Sequence, residues 1–402
     1  MKLLKLSMVA MMAMGTASFA ADMKTADTLA EAFANGKTSG ELKAYYFSED
    51  EGAENASDTT ETITVLGVKL DYKTAKFYGF NADLGFQSSH TQYSNADSET
   101  RFKKDMDADG AVLSSASLSY AMAKSSVKVG RQYINMPLLA GSGSRVIRQA
   151  FQGATAVSKD IKDTTLMGAY VTRYQARTDL AGGVGTFDDL GTDTDYAYAV
   201  AVENKSFAGT TLGLAYATEE NSRTLVYAEA KYVGKADKIG YNVSGQYNNT
   251  DYDASATKDA SFYGIKVGGS ISDFNAYIAY AGVQDGKAQY QVTGAAGKAG
   301  TIYTSRIMNA GTYNESTQYA ANLGYMNKNL GVTVKARYVS IDFKNDTVKE
   351  GDKSDVFSLQ GAYAFSGALK GLGASLTYEN EEVKNKASTD KNNLWAKATY
   401  KF

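Results

Sequence analysis

A chain of 402 residues with a net charge of −2, no cysteine and one histidine excludes several function classes at once. Disulfides and thiolate metal sites are impossible, a histidine triad would have to run through His90 alone, and the charge gives no electrostatic case for nucleic acid. With 29 tyrosines and 38 glycines against one proline and one tryptophan, the composition favours strands over helices.

Lys2 and Lys5 precede an apolar run from Leu6 to about Ala17, and "SFA" ends at Ala20. This is the layout of a secretory signal peptide over residues 1–20. Beyond it, no apolar run reaches the ~18 residues of a transmembrane helix. Residues 25–35, "TADTLAEAFAN", predict a short helix stopped at Gly36, within an N-terminal periplasmic segment (21–38) ahead of one domain at 39–402.

From there on the repeating signal is alternation with period two. In "NVSGQY", Val243, Gly245 and Tyr247 share one face and Asn242, Ser244 and Gln246 the other. In "LGASLTYE", Leu372, Ala374, Leu376 and Tyr378 oppose Ser375, Thr377 and Glu379. Eighteen such segments follow one another: 39–47, 62–72, 77–86, 112–122, 125–133, 151–159, 164–175, 194–204, 210–218, 222–233, 238–248, 260–270, 273–282, 315–326, 329–342, 353–364, 371–380 and 392–402. Their connections alternate long (48–61, 87–111, 134–150, 176–193) with short (73–76, 123–124, 160–163, 205–209), and only the link near 219–221 is short where a long one is due. The fold predicted is all-β: an 18-stranded transmembrane antiparallel β-barrel of the bacterial outer membrane, with long outer loops, tight periplasmic turns and a short N-terminal periplasmic helix. A soluble sandwich would need linkers between several domains, and a β-helix a 20–50-residue repeat; neither is present.

The last segment, "LWAKATYKF", ends in a C-terminal phenylalanine. Tyr400 and Phe402 resemble the signal that the outer-membrane barrel-assembly machinery reads. If the apolar face meets lipid, the other lines a wet lumen. Strict alternation puts Lys43, Lys69, Lys128, Arg173, Arg223, Lys231, Lys266, Lys335, Arg337 and Lys397 inside, against Glu41, Asp71, Asp83, Glu203, Glu229 and Glu379. Cations outnumber anions, which favours anionic or carboxylate solutes.

The third outer loop holds the only proline. "GRQYINMPLLAGSGSRVIRQAFQG" runs from Gly130 to Gly153. Turned inward, this stretch would narrow the pore with Arg131, Tyr133, Pro137, Ser142, Ser144, Arg145 and Arg148. Pro137 suits a loop, the Gly-Ser run permits tight turns, and arginines offer fixed forks to carboxylates. Strict alternation places Arg131 on the lipid side unless a bulge rotates it inward. An ordinary surface loop binding lipid phosphates is the other reading.

This stretch, with its Pro-Leu, its Ser-x-Ser-Arg turn and its Phe-x-Gly, resembles the third loop of the OprD-like porins, substrate-specific 18-stranded channels of Gram-negative outer membranes. "NGKTSGELKAYYF" (Asn35 to Phe47) is similar to the start of their barrel. Gly143 stands where the family pattern has aspartate. The resemblance implies passive diffusion of small water-soluble molecules, a basic ladder along one wall and a constriction by the third loop.

"DMDADG" (Asp105 to Gly110) opens like a calcium loop, but Ala116 stands at the twelfth position where a glutamate is needed, so a solvated acidic turn is expected. "GGVGTF" lacks a following helix and is no phosphate cradle. No catalytic constellation and no cofactor or metal site is predicted. Expected partners are outer-membrane lipid and lipopolysaccharide, the assembly machinery and small hydrophilic solutes, in a homotrimer or a monomer. The rival reading is a barrel used as a surface adhesin or structural protein.

Overall fold

The computed structural model describes residues 25–52, 59–95, 105–254, 257–294, 302–308, 314–344, 353–384 and 390–402. The expected signal peptide (1–20) lies outside the described residues. The described residues form one closed antiparallel barrel preceded by a short helix. Its strands are β1 (Lys37–Gly52), β2 (Thr59–Lys73), β3 (Phe80–Ser94), β4 (Gly110–Met122), β5 (Ser125–Gln132), β6 (Ala150–Ser158), β7 (Thr164–Gln175), β8 (Ala197–Asn204), β9 (Thr210–Glu219), β10 (Arg223–Ala236), β11 (Ile239–Tyr252), β12 (Ala260–Ile271), β13 (Phe274–Gln284), β14 (Ser316–Asn327), β15 (Val332–Phe343), β16 (Lys353–Ala364), β17 (Leu372–Val383) and β18 (Asp390–Lys401). Each pairs with its neighbours in sequence, and β1 pairs with β18 from Glu41↔Lys401 to Gly52↔Asp390. All eighteen expected segments are strands.

Exposed Leu66, Val68 and Leu70 alternate on β2 with Gly67, Lys69 and Asp71, and this apolar outer face repeats around the barrel. Aromatic side chains mark both rims. Tyr170, Tyr196 and Tyr198 stack in sequence at the outer rim, Tyr216 joins them at a tilt, and Tyr263, Tyr280 and Tyr319 form a second, tilted run there. Phe80–Tyr120, Tyr232–Tyr241, Phe274–Tyr325 and Tyr400–Phe402 form the periplasmic counterpart. These are the two interfacial girdles of an outer-membrane barrel.

Several strands run further outward than expected. β3 ends at Ser94, eight residues past the segment read from alternation. Its extension, "QSSHTQYS", is polar because it rises beyond the ~10 residues that cross the hydrocarbon. The helix is shorter than expected: α1 covers Leu29–Ala34, its N-terminus capped by the Thr28 hydroxyl accepting from Glu31 N. It is tied to the periplasmic β2–β3 turn by Ala75 N donating to Ala32 O at 2.9 Å and Ala26 N to Lys76 O at 2.8 Å.

The seam is closed by the last residue. Gly40 N and Phe402 O bond at 2.9 Å, and Phe402 N returns the bond to Gly40 O at 3.1 Å. The Phe402 ring occupies the space a Cβ on Gly40 would fill, so glycine is required at that position.

Candidate pore lining

The third outer loop, L3 (133–149), turns into the barrel. Asn135–Met136 and Leu138–Ala140 pair as a small hairpin whose tip is Pro137 and Leu138. Pro137 sets the first central position of that turn, and Leu138 takes the positive φ of 63° at the second. The strain on a leucine there is offset by its burial: Leu138 and Leu139 are 1% and 0% exposed. They pack with Met136 on Ala197, Ala199 and Ala201 of β8 and Ala215 and Ala217 of β9. Those alanines are inward-facing, so this wall is apolar rather than wet, and L3 covers it.

The second limb of L3 crosses to β1, β2, β3 and β18. Lys43 Nζ donates to Val146 O and Lys397 Nζ to Ser144 O, both at 2.8 Å. Gln87 on β3, 1% exposed, holds Arg148 from both ends: its Nε2 donates to Arg148 O at 2.9 Å, and Arg148 N donates to its Oε1 at 2.8 Å. A Cβ on Gly67 of β2 would overlap Val146 Cγ1, so the loop approaches that strand as closely as a glycine permits. Met106 and Val146 bury inward-facing Phe47, Ile63, Val65 and Trp395.

The constriction candidates separate. Arg145 is 7% exposed and lies 4.4 Å from the Trp395 ring centroid, its Nη1 donating to Ser144 Oγ at 3.1 Å and its Nη2 3.8 Å from Asp105. It staples loop to wall rather than presenting a fork to the lumen. Arg148 stacks on Tyr133 at 4.4 Å, and Lys69 approaches the same ring at 5.0 Å. Burial lowers the Arg148 ionisation from its ordinary value, though a guanidinium remains charged. Burial likewise raises the Tyr133 phenol, which stays neutral. Ser142 and Ser144 bond each other at 3.0 Å beside exposed Gly143.

Arg131 does not join them. It stays on the outer face, with its guanidinium 4.5 Å from the Phe187 ring. Arg173, expected on the lumen wall, also faces outward. The register of β6 and β7 slips between Gln152 and Gly153, leaving Thr172 unmatched. One extra residue reverses the parity beyond it, so Tyr174 points inward onto Phe151 and Arg173 outward toward Asp189.

The remaining lumen cations face inward, and several are bound. Arg223 is 2.7 Å from Glu219 and donates to Val292 O. Arg337 bonds Asn322 Oδ1 and, at 2.8 Å, Ser305 O. Lys231 pairs with Glu229 at 2.7 Å, and Lys266 lies 4.4 Å over Tyr303. Lys335 faces the lumen beside Arg337's strand position two residues on.

Val292, Tyr303 and Ser305 belong to a second inward loop, L7 (285–315), which the sequence reading did not single out. Its Gln291–Gly294 runs parallel to Leu138–Ala140 of L3. Tyr303 OH donates to Glu229 at 2.9 Å, Thr304 Oγ1 to Gln318 at 2.8 Å, and Arg306 forks onto Glu381 with two bonds of 2.6 Å. The length of the 283–314 connection was the one available signal.

The acidic turn is divided among separate partners. Asp105 pairs with Arg177 at 2.7 Å, Asp107 accepts from Thr91 Oγ1 at 2.7 Å, and Asp109 lies 2.8 Å from His90 Nδ1. Among the described residues no cluster of three or more metal-ligating side chains occurs.

A family model described as outer membrane porin, OprD family, matches residues 31–402. No curated protein matches. Solved structures share the fold. OccK9 (OpdG) of Pseudomonas aeruginosa is 16% identical with a TM-score of 0.79, over 92% of this chain and 100% of that one. OccAB4 of Acinetobacter baumannii is 17% identical with a TM-score of 0.73, over 91% and 98%. OpdK of Pseudomonas aeruginosa, solved with vanillate, is 17% identical with a TM-score of 0.72, over 92% and 99%.

Proposed function

The chain belongs to the OprD family of outer membrane porins, and on that premise we propose that it is a passive, loop-narrowed channel preferring small solutes that carry a carboxylate. The observation that carries this reading is the group at the inner edge of L3. Arg148 and Lys69 share the Tyr133 ring, and the exposed Gly143–Ser144 tip lies on the same limb. Lys69 is also tied to Asp71, so Arg148 is the cation beside this ring that suits a planar anionic group, and the neighbouring serines offer hydrogen-bond donors. Lys266 and Lys335 continue the positive wall, while Lys231 is paired with Glu229. OpdK was solved with vanillate, an aromatic carboxylate, which fits the same chemistry.

The anionic preference is milder than a count of basic residues suggests. Lys43, Lys397, Arg223 and Arg337 each donate to a loop carbonyl, so part of the basic ladder positions L3 and L7. In this proposal residues 1–20 direct export, Tyr400 and Phe402 present the last strand to the assembly machinery, and the outer face sits among membrane lipids.

Planar bilayers test the channel. Purified protein should give discrete current steps, with a reversal potential showing modest anion preference in a salt gradient. Arg148→Ala should reduce that preference. An absence of current, or a clear cation preference, would overturn the proposal.

A further inference from the structure

Among the described residues, one row on the outer face of the barrel carries two arginines. Arg131 on β5 pairs across Gln152 on β6 to Arg173 on β7, residue opposite residue. Residues opposite each other in a sheet share a face, so the three side chains form one outward row, with the arginine backbones roughly 10 Å apart. Below them on the same face come Val129 and Val127 of β5 and Tyr170 and Leu166 of β7, all exposed. Tyr170 stacks on Tyr196 in the outer aromatic girdle at 5.6 Å. The row therefore stands just beyond the girdle, where the hydrocarbon gives way to headgroups.

Two features set this row apart. Arg173 is there only because of the one-residue bulge at Thr172, which turns it from the lumen to the membrane side. Its counterions are also weak. Arg173 Nε is 3.9 Å from Asp189, with both side chains largely exposed, while Arg131 has the Phe187 ring and one long bond of 3.4 Å to Leu113 O. By contrast, Lys353 and Lys384 at the outer rim share Asp355, the latter at 2.8 Å.

We propose that Arg131, Gln152 and Arg173 form a binding site on the outer wall for the phosphate of a glycolipid headgroup in the outer leaflet. Guanidinium forks bind phosphate oxygens in pairs, and the Gln152 amide adds a donor between them. The stacking of Arg131 on Phe187 holds one fork in place before the lipid arrives. Asp189 competes with the phosphate for Arg173.

The test uses the full barrel in detergent, with lipopolysaccharide as the probe and heat-modifiable gel migration as the check on folding. Arg131→Gln/Arg173→Gln should weaken lipopolysaccharide binding by about tenfold or more, the scale of lost charge-assisted hydrogen bonds. Lipopolysaccharide stripped of its phosphates should bind the native barrel as weakly as the intact lipid binds that variant. Asp189→Asn, which keeps both arginines, should bind more tightly, and this arm stands even if the double variant fails to fold. Equal binding by the double variant, or no gain in Asp189→Asn, overturns the proposal. Saturation by inorganic phosphate alone would assign the site to a free anion instead and overturn the lipid.

Discussion

The two limbs of L3 are held inside the same barrel by different forces. Residues 134–140 lie on an alanine wall, where Leu138, Leu139 and Met136 fill the space that small side chains on β8 and β9 leave open. Residues 142–148 lie against β1, β3 and β18, held through main-chain groups by Lys43, Gln87 and Lys397. The first limb is anchored by apolar area and is indifferent to charge. The second is anchored by two lysines of the inner wall, Lys43 and Lys397, and by Gln87. One limb is therefore held without charge and the other through charged side chains.

The largest effect is expected from Leu139→Asp. A carboxylate at a fully buried, apolar position costs on the order of 3–5 kcal/mol, so the hairpin should leave the wall while the ladder of strand pairs persists. Single-channel conductance should rise several-fold; an unchanged value would mean that the apolar limb does not hold the loop. Gln87→Leu comes next. It strips two hydrogen bonds from the Arg148 main chain, each about 1–3 kcal/mol when buried groups lose their partner. Open-channel noise should increase and L3 should become accessible to protease, with the first limb still protected. If both limbs loosen together, they are not independent anchors.

Lys397→Met should act on selectivity more than on position, because it removes one cation and one of the ties to L3. A smaller anion bias in the reversal potential, at near-native conductance, is the expected result. Arg145→Lys is the mildest change. It keeps the charge but loses the guanidinium seated over Trp395, worth ~1 kcal/mol or less. Trp395 is the only tryptophan of the chain, so its fluorescence reports the contact directly. A spectrum identical to the native one would place Arg145 away from the ring.

The strands were legible because membrane and lumen impose opposite demands on alternate residues, and "LGASLTYE" or "NVSGQY" records them without ambiguity. The loop rhythm was legible too, down to the short link after β9, where Ser222 N bonds Glu219 O at 3.2 Å. The polar end of β3 was not, since above the bilayer that demand lapses. The inward-facing Phe47, Ile63 and Trp395 belie a uniformly polar lumen because Met106, Val146 and Met308, on the loops after β3, β5 and β13, shield them from water.

The candidate site shows the same division. On L3, Tyr133 meets Arg148 and Ser142 bonds Ser144, while Pro137 sits at the tip of the other limb. Gln87 and Gly67 carried no mark in the sequence, since a glutamine or glycine on a lumen face acquires its role only when a loop is laid against it. Arg173 is the sharpest case: a single unmatched residue, Thr172, sends it to the opposite side of the wall.

By itself, then, the sequence determined the barrel and its strand number, and marked one of the two loops that turn inward. These follow from period, length and turn chemistry, which are local. Only the tertiary structure decided which cations face the lumen, which hold loops and which face outward, because a bulge or a covering loop changes a side chain's surroundings without changing the pattern around it.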